Sequence, residues 1–281
     1  MPGKVIDNAA RKRGGLRPDG AAARADDAAR RRFAPRMGVT PGTEWHFQAP
    51  KIIRDQDFTE SCAGQACAAA VDALLPGPPW CSARSLWLDA LRREGLPPDA
   101  NVGTEFAFVL SGLVARGWDP LQPGEDSRPL PTEWWRAESL ADEMFAADHR
   151  QNGKIERSRV LEEGSDRVWV VAAALADPRL AVVYGGGTTA KYGAFVGDPD
   201  RPAQVLGTDF LGGSDGGHAR RLLGWYRDPA TGNFVFVEQN SWSLNWGGCR
   251  LPNGQWLRGC CLVSEVVVIG AWDVHVLELR P

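Results

Sequence analysis

The sequence lacks three features: an apolar run that could span a membrane, the apolar core of a secretory signal peptide, and a cysteine motif that could bind a metal ion. No apolar run is long enough to cross a bilayer, and the first 30 residues contain no apolar core of the kind that a secretory signal peptide needs. None of the six cysteines forms a C-x-x-C pair, and Cys260 and Cys261 are adjacent, so we exclude a zinc knuckle and a redox motif. We expect no metal or other cofactor, no membrane partner, reduced cysteines, and a chain that is cytoplasmic or exported by a route needing no signal peptide.

The charge that is present is unevenly distributed. Residues 1–36 carry 10 Lys and Arg against 4 Asp and Glu, although the whole chain has a net charge of −3, so a basic segment precedes an acidic body. We expect residues 1–45 to form a flexible basic arm, which is either a solvated tail or a segment that binds an acidic partner. Because only this arm is basic, nucleic acid is not an expected partner. We expect a monomer.

The hydrophobic pattern changes from helical to strand-like along the chain. Apolar residues at helical spacing predict a helix between Ser82 and Gly95 and another that ends at Gly117. Further helical spacing follows near 136–150, and residues 167–178 fit either a strand or a short helix. Beyond residue 180, five short runs rich in Val, Phe and Trp predict strands; they include 262–270 and 272–279, the last with His275 on an exposed face.

This order of elements predicts an α+β fold with two lobes. Helices come first and strands later, which is typical of lobes that differ in character. We expect a helical lobe over residues 46–160 and a β lobe over residues 161–281. A glycine-rich run at 185–190 matches a dinucleotide-binding pattern, but glycines and Pro199 interrupt the helix that such a site requires, so we reject nucleotide binding.

Two cysteines lie at the start of the chain's first predicted helix, and they differ in position. Cys67 shares an apolar stripe with Val71 and Leu74 and is therefore a packing residue. Cys62 lies about 140° from Cys67 around the helix, in the first turn. There the helix dipole favours an anion and lowers the pKa of a thiol. Cys62 is the candidate nucleophile, if a base is close to it.

A candidate base and its orienting partner occur later in the chain. His218 follows two glycines at the start of a predicted strand, where the backbone turns tightly and no bulky neighbour shields the ring; a purely structural role is the alternative. Asn240 ends a buried strand and is followed by Trp242. An amide at that position can hydrogen-bond a histidine, and an indole can shield the bond from water.

The order of these residues resembles that of the papain-like cysteine peptidases. Gln56, then Cys62 at a helix start, then Gly-His-Ala at 217–219 and Asn-Ser-Trp at 240–242 follow the family's order, and the resemblance spans roughly residues 50–270. The segment around Cys62 is most similar to that of bacterial members. The resemblance implies the papain-like α+β fold, a helical N-terminal lobe and an antiparallel β C-terminal lobe with the active cleft between them, and a polypeptide substrate.

The resemblance also implies a role for each matching residue. Cys62 would be the nucleophile and His218 the base and later the acid, oriented by Asn240. Gln56 would donate to the oxyanion, together with the backbone N–H of Cys62. Substrate-binding positions would be Gly103, Ala219 and Trp242, of which the last also covers the contact between His218 and Asn240.

Two departures from the family pattern leave other functions open. Glu60 stands where the family usually has glycine, two residues before the nucleophile, and the basic segment is far shorter than a typical inhibitory propeptide. We therefore do not expect inhibition by a folded prodomain. The first expectation is a cysteine endopeptidase that acts through a Cys62 acyl-enzyme. The alternatives are a specialised effector (a deamidase, a transpeptidase or a single-target protease) and a catalytically silent peptide-binding protein.

Overall fold

The structure of the protein is a computed structural model. It describes residues 16–17, 45–56, 59–97, 101–121, 154–160, 162–213 and 216–280. The helix predicted near 136–150 lies outside these ranges. None of the helices in them is long and apolar enough to cross a membrane.

Six helices occur in the described part of the chain. They are α1 (Cys62–Leu74), α2 (Ala83–Arg93), α3 (Phe106–Arg116), α4 (Gly164–Ala176), α5 (Ala190–Gly193) and α6 (Glu265–Ile269). The bounds of α2 and α3 confirm the sequence prediction. The Ser82 side chain accepts a hydrogen bond from the Ser85 N–H at 3.1 Å and so caps α2. Gly117 ends α3 with a φ of 80°, a conformation that glycine adopts without strain.

The described strands form one large sheet and a separate hairpin. They are β1 (Trp45–Phe47), β2 (Lys154–Arg159), β3 (Leu180–Gly187), β4 (Val205–Leu206), β5 (Gly217–Arg227), β6 (Phe234–Gln239), β7 (Cys249–Arg250), β8 (Trp256–Leu257), β9 (Cys260–Ser264) and β10 (Asp273–Arg280). The sheet runs β2-β10-β3-β5-β6-β9-β4, and β7 pairs with β8. All neighbours are antiparallel except β4 and β9.

Strand β5 is the organising strand of the sheet. Its first half, up to Leu222, pairs with β3, and its second half, from Gly224, pairs with β1, on either side of a bulge. The backbone of His46 and Phe47 passes so close to Gly224 that a side chain there would collide with it. The long strand thereby carries His218 at one end and anchors the N-terminal strand at the other.

The two faces of the sheet pack against different helices. Residues on one face, such as Val183 and Leu277, pack with α1 and α3. Alternating residues on the other face, such as Val182 and Val274, pack with α4 and α6. Two strands within or at the edge of the range expected for the helical lobe, β1 and β2, pair with strands of the β lobe.

The structure resolves one ambiguous prediction and corrects two others. Residues 164–176 are helical, so the uncertain segment is α4. Residues 265–269 form the short helix α6 instead of continuing a strand, and Ser264 is its N-cap. His275 is buried, not exposed, and packs edge-on against Phe106. Strand β10 lies between β2 and β3 with helices over both faces, so both alternating sets of its side chains are buried from Asp273 to Leu277.

Candidate active site

Cys62 is the first residue of α1 and is buried. The first N–H groups of a helix lack intrahelical partners and carry the positive end of the helix dipole. Neither Ser61 nor any acidic side chain caps this first turn. Cys67 is also buried, in the apolar core of the helical side, as its position in the stripe predicts. The six cysteines all lie within the described residues, and none of them forms a disulfide.

His218 lies near the start of β5, opposite Gly186 of β3, and is completely buried. Its Nε2 is 2.6 Å from Oδ1 of Asn240, the residue that follows β6. Its Nδ1 has no hydrogen-bond partner in the described structure. One ring nitrogen is therefore occupied by the amide, and the other is left for a proton exchange.

Trp242 covers the bond between His218 and Asn240. The indole and imidazole rings are stacked, with centroids 4.4 Å apart and planes inclined by 26°. Trp242 is almost completely buried. A hydrogen bond sealed from water in this way is electrostatically stronger than an exposed one, and its partners keep their orientation.

Both the backbone and the side chain of Gln56 are hydrogen-bonded to Ser241, in the loop that begins at Asn240 (the Asn240 loop). The Gln56 N–H donates to the Ser241 carbonyl at 2.8 Å, and Oε1 of Gln56 accepts from the Ser241 hydroxyl at 2.6 Å. Nε2 of Gln56 donates one hydrogen to the Thr59 carbonyl at 2.8 Å. A side-chain amide nitrogen carries two hydrogens, so this contact fixes the amide and leaves a second hydrogen to donate.

The helix that begins with Cys62 packs directly on the strand that carries His218. Ala219, the residue after the histidine, belongs to the same buried apolar cluster as Cys62. Between α1, β5 and the Asn240 loop lies a cavity of about 10 Å³, lined among others by Gln65, Ala219 and Asn240. Hydrogen bonds and ring stacking thus link Gln56, His218, Asn240 and Trp242. The helix that begins with Cys62 packs against the strand that carries His218.

Residues 102–105 form the opposite edge of the site, just before α3. The Val102 carbonyl accepts a hydrogen bond from the Trp87 indole at 3.2 Å, which fixes this edge to α2. Gly103, the expected backbone contact for substrate, is half-buried here. The carbonyl of its neighbour, Thr104, accepts a backbone hydrogen bond from the Arg17 N–H. Glu60 is held near the same edge, where its N–H donates to Oδ1 of Asn101 at 2.9 Å.

Two residues of the expected arm, Leu16 and Arg17, lie between these two edges. The Leu16 N–H donates to the Gly217 carbonyl at 3.1 Å, next to His218, and the Arg17 N–H donates to the Thr104 carbonyl at 3.2 Å. The Leu16 side chain is buried in the cluster that contains Phe106 and Ala219. A segment of the chain's own N-terminal region therefore connects the β-lobe edge to the helical edge beside the predicted catalytic residues.

Burial dominates the electrostatics of His218. The pKa of the imidazole is lowered well below its ordinary value, first by loss of solvent and then by the positive charge of Arg220, while the hydrogen bond to Asn240 acts in the opposite direction. With Leu16 in place, the ring is therefore neutral near pH 7. A negative charge on a nearby thiolate would favour the protonated ring.

Sequence reasoning missed Tyr192 and Leu16 as neighbours of the site. Tyr192 is buried and its hydroxyl accepts a hydrogen bond from Nδ2 of Asn240 at 3.1 Å. Its position in the glycine-rich stretch after β3 carries no motif. Two charged residues inside predicted strands, Arg220 and Glu238, are the signal that could have indicated a buried polar cluster behind the site.

Comparison with known proteins finds similarity in structure but not in sequence. No family model matches the chain, and no curated protein sequence matches it significantly. Xylellain, a cysteine protease from Xylella fastidiosa, superposes with a TM-score of 0.63 at 21% identity and covers 96% of this chain and 98% of its own. Procathepsin B S9 from Trypanosoma congolense gives a TM-score of 0.56 at 16% identity, covering 89% of this chain and 82% of its own.

A third similar structure comes from an insect. Digestive procathepsin L 3 of the Tenebrio molitor larval midgut gives a TM-score of 0.55 at 13% identity and covers 89% of this chain and 74% of its own. Helices packed on a mostly antiparallel sheet are common to this chain and to these neighbours. The protein has the papain-like α+β fold, as the order of the motif residues along the sequence predicted.

Proposed function

We propose that the protein is a cysteine endopeptidase that cleaves peptide bonds through a Cys62 acyl-enzyme. The observation that carries the proposal is the state of His218: its Nε2 is held by Asn240 under Trp242, its Nδ1 is left unbonded, and its strand packs on the helix that begins with Cys62. An oriented base on a strand that packs against the nucleophile's helix supports the proposal.

The reaction divides into acylation and deacylation. His218 Nδ1 takes the proton of the Cys62 thiol, and the sulfur attacks the carbonyl carbon of the scissile bond. The carbonyl oxygen becomes an oxyanion that accepts hydrogen bonds from the second Nε2 hydrogen of Gln56 and from the backbone N–H of Cys62. His218 then gives its proton to the leaving amine, and the C–N bond breaks to leave a thioester.

Water completes the cycle. His218 removes a proton from a water molecule that attacks the thioester carbonyl, and the same proton returns to sulfur as the carboxylic acid departs. Asn240 accepts from His218 Nε2 throughout, and so keeps the ring in one orientation while Nδ1 gains and loses its proton. The Ser241 contacts of Gln56 hold the oxyanion donor in place before substrate arrives, so the site needs little reorganisation.

The first test is labelling of the purified, reduced protein with an epoxysuccinyl thiol trap at mildly acidic to neutral pH, with the modified residue identified by mass spectrometry. Parallel assays measure cleavage of a mixed peptide library. We expect stoichiometric labelling of Cys62, lost in Cys62→Ala, slowed to the rate of an ordinary thiol in His218→Ala, and retained in Cys67→Ala. Gln56→Ala should lower kcat/KM by roughly 100–1000-fold, the usual effect of losing one oxyanion donor.

Each outcome separates the candidate functions. Labelling together with peptide cleavage supports the endopeptidase. Rapid labelling without cleavage of any library peptide would instead indicate an effector that acts on one protein. An unreactive Cys62 in both the native protein and a Leu16→Asp variant, in which the buried leucine is displaced, would contradict catalysis and indicate a binding protein.

A further inference from the structure

A cluster of buried polar side chains lies directly behind Asn240. Tyr184, Tyr192, Arg220, Glu238 and Cys261 come from four strands and a short helix, and each of them is at most 1% exposed. Burying a charge is unfavourable unless it is paired and hydrogen-bonded, and an apolar replacement often stabilises a fold as well or better. The position of this cluster against Asn240 suggests a role other than stability.

Glu238 is the acceptor at the centre of the cluster. Its carboxylate accepts hydrogen bonds from the hydroxyls of Tyr184 and Tyr192 and from the Cys261 thiol at 3.4 Å, and Nε of Arg220 lies 3.8 Å from it. Burial, and then the negative charge of Glu238, raise the pKa of both tyrosines well above the ordinary value. Both phenols therefore keep their protons at neutral pH and donate them to the carboxylate.

This donation decides what Tyr192 can do on its other side. With its one proton directed to Glu238, the Tyr192 oxygen can only accept, and it accepts from Nδ2 of Asn240 at 3.1 Å and from Nε of Arg220 at 3.1 Å. The amide nitrogen of Asn240 must face Tyr192, so its oxygen must face His218. The Ser241 N–H, 2.6 Å from the same oxygen, favours the same orientation.

The orientation of the amide then fixes the proton on the histidine. An amide oxygen 2.6 Å from His218 Nε2 requires Nε2 to carry hydrogen, and the neutral ring must keep its lone pair on Nδ1. The Tyr192 ring is itself held between Trp242 and Trp246, with centroid distances of 5.4 Å and 5.0 Å. An ordered chain of donors thus runs from His218 through Asn240 and Tyr192 to Glu238.

We propose that Tyr192, anchored on Glu238, is a positioning residue that sets the amide orientation of Asn240 and thereby the tautomer of His218. The proposal rests on the proposed function, because the tautomer matters only if Nδ1 of His218 is the base. Tyr192 does not touch a reacting atom. It acts through Asn240, and Ser241 acts in parallel, so loss of the hydroxyl weakens the arrangement without abolishing it.

Tyr192→Phe removes the hydroxyl and keeps the ring between the tryptophans. Tyr184→Phe is its matched control, because it removes an equally buried hydroxyl from the same carboxylate but has no bond to Asn240. The first readout is nitrogen-15 NMR of the His218 ring, identified by comparison with His218→Gln. We expect the hydrogen to remain on Nε2 in the native protein and in Tyr184→Phe, and the two tautomers to mix in Tyr192→Phe.

The second readout is kinetic. We expect Tyr192→Phe to lower kcat roughly 10-fold with little change in KM, within the effect that misplacing a catalytic group produces. Because Asn240 stabilises the protonated ring, the alkaline limb of the activity profile should also move to lower pH. Equal kinetic losses in the two phenylalanine variants, with no change of tautomer or pH profile, would reduce Tyr192 to a packing residue. The NMR readout does not depend on turnover, so it tests the positioning role even if no peptide is cleaved.

A separate observation concerns Glu94, at the C-terminal end of α2. Its carboxylate pairs with the guanidinium of Arg17 and accepts a hydrogen bond from the Thr104 hydroxyl. The Glu94 side chain is 6% exposed beneath Arg17, whose own side chain is 49% exposed. A carboxylate is therefore held in place at the edge of the site, and a basic side chain covers it.

The neighbouring residue identifies this as part of the substrate cleft. Leu16 fills an apolar pocket with Phe106 and Ala219, and its backbone bonds to the residue before His218, while the backbone of Arg17 bonds to Thr104. We infer that Glu94 is a subsite for a basic side chain of the substrate, next to a pocket for an apolar one. This inference also rests on the proposed function, and it selects polypeptides with adjacent leucine and arginine or lysine.

Two series of fluorogenic peptides test the subsite, one with the variable residue before a leucine and one with it after. Each series compares arginine, alanine and glutamate at the variable position. We expect at least a 10-fold preference in kcat/KM for arginine over glutamate in one series, and loss of that preference in Glu94→Gln but not in Glu60→Gln. Cleavage without any such preference would contradict the subsite alone, whereas absence of all cleavage would contradict the proposed function.

Discussion

At the scale of single residues, the site depends on how the charge of His218 is controlled. Burial lowers the pKa of the ring, the nearby Arg220 lowers it further, and only the bond to Asn240 favours the proton. A thiolate at Cys62 would supply the missing counter-charge. Under the proposed function, the protonation of His218 would therefore depend on the state of Cys62, which is the coupling that a cysteine peptidase requires.

The burial of His218 predicts that the fold loses stability at acidic pH. In a Cys62→Ala background, the unfolded chain binds a proton at His218 near the ordinary pKa of 6.5, but the folded chain does so only at lower pH. The stabilisation should be fully present above the ordinary pKa of histidine. Below that pKa, the free energy of unfolding should fall as the pH drops, by at most about 1.4 kcal/mol per pH unit. Chemical denaturation between about pH 5 and pH 8 measures the slope.

The control for this prediction is a second histidine. The pKa of His46 is also lowered, by partial burial, so His46→Gln should remove only a smaller part of the slope. His218→Gln should remove most of it. An identical pH dependence with and without His218 would show that the folded protein accommodates the charged ring without cost.

At this scale, the sequence indicated the residues that matched an ordered motif and missed those that act behind them. Gln56 and Asn240 were predictable because each lies at a characteristic position relative to Cys62 or His218. Tyr192 was not, because its contact with Asn240 depends on how the turn after β3 folds beneath β6. Neither local propensity nor spacing encodes that packing.

At the scale of elements, strand β5 connects the predicted catalytic residues to the rest of the sheet. It carries His218 at its start, pairs with β3 and β6, and changes partner to β1 after the bulge at Gly224. β1 leads through residues 48–56 to Gln56. The backbone between β1 and Gln56 is therefore positioned by the far half of the strand that carries His218.

Gly224→Ala tests this link. The added methyl group would meet the backbone of His46 and Phe47, which cannot move without separating β1 from β5. We expect a loss of roughly 1–3 kcal/mol in the free energy of unfolding. Gly77→Ala is the control, because nothing lies within 4 Å of a side chain added there. Equal thermal denaturation midpoints for the two variants would contradict a tight contact between β1 and β5.

Element prediction succeeded where periodicity was unbroken and failed where tertiary packing decided the outcome. The helices α2 and α3 have clear apolar stripes and clear ends. The run of valines from 266 to 268 favours a strand by propensity, yet it forms α6 because it packs against α4 and the start of β6. His275 was placed on an exposed face because the pattern of β10 does not show that helices cover both sides of the sheet.

At the scale of the whole molecule, Leu16 and Arg17 pack against parts of the chain that are distant in sequence. Leu16 is only 3% exposed, although composition predicted either a solvated tail or a segment that binds an acidic partner. Composition reports the average behaviour of a segment, and one leucine and one arginine are too few to alter that average. Their placement depends on a pocket and a carboxylate supplied by distant parts of the chain.

Leu16→Asp should expose the cleft. A carboxylate is strongly disfavoured in the apolar pocket that the leucine fills, so the segment should leave it. We expect Cys62 to react with the thiol trap at least 10-fold faster than in the native protein. Val114→Asp, at an exposed position on α3, is the control and should not change the rate. Equal labelling rates in all three proteins would show that residues 16–17 do not obstruct the nucleophile.

Under the proposed function, the pairing of Leu16 and Arg17 with the cleft also makes the chain a competitor of its own substrate. A tethered segment has an effective local concentration of about a millimolar or more, which a dilute substrate cannot match by abundance. If the cleft is vacant in about 1% of molecules, the apparent dissociation constant of any substrate rises about 100-fold. Turnover at low substrate levels is then set by the population of the vacant form. Polypeptides that present both an apolar and a basic side chain would compete best for that form, so the tether acts as a selectivity filter before any bond is cleaved.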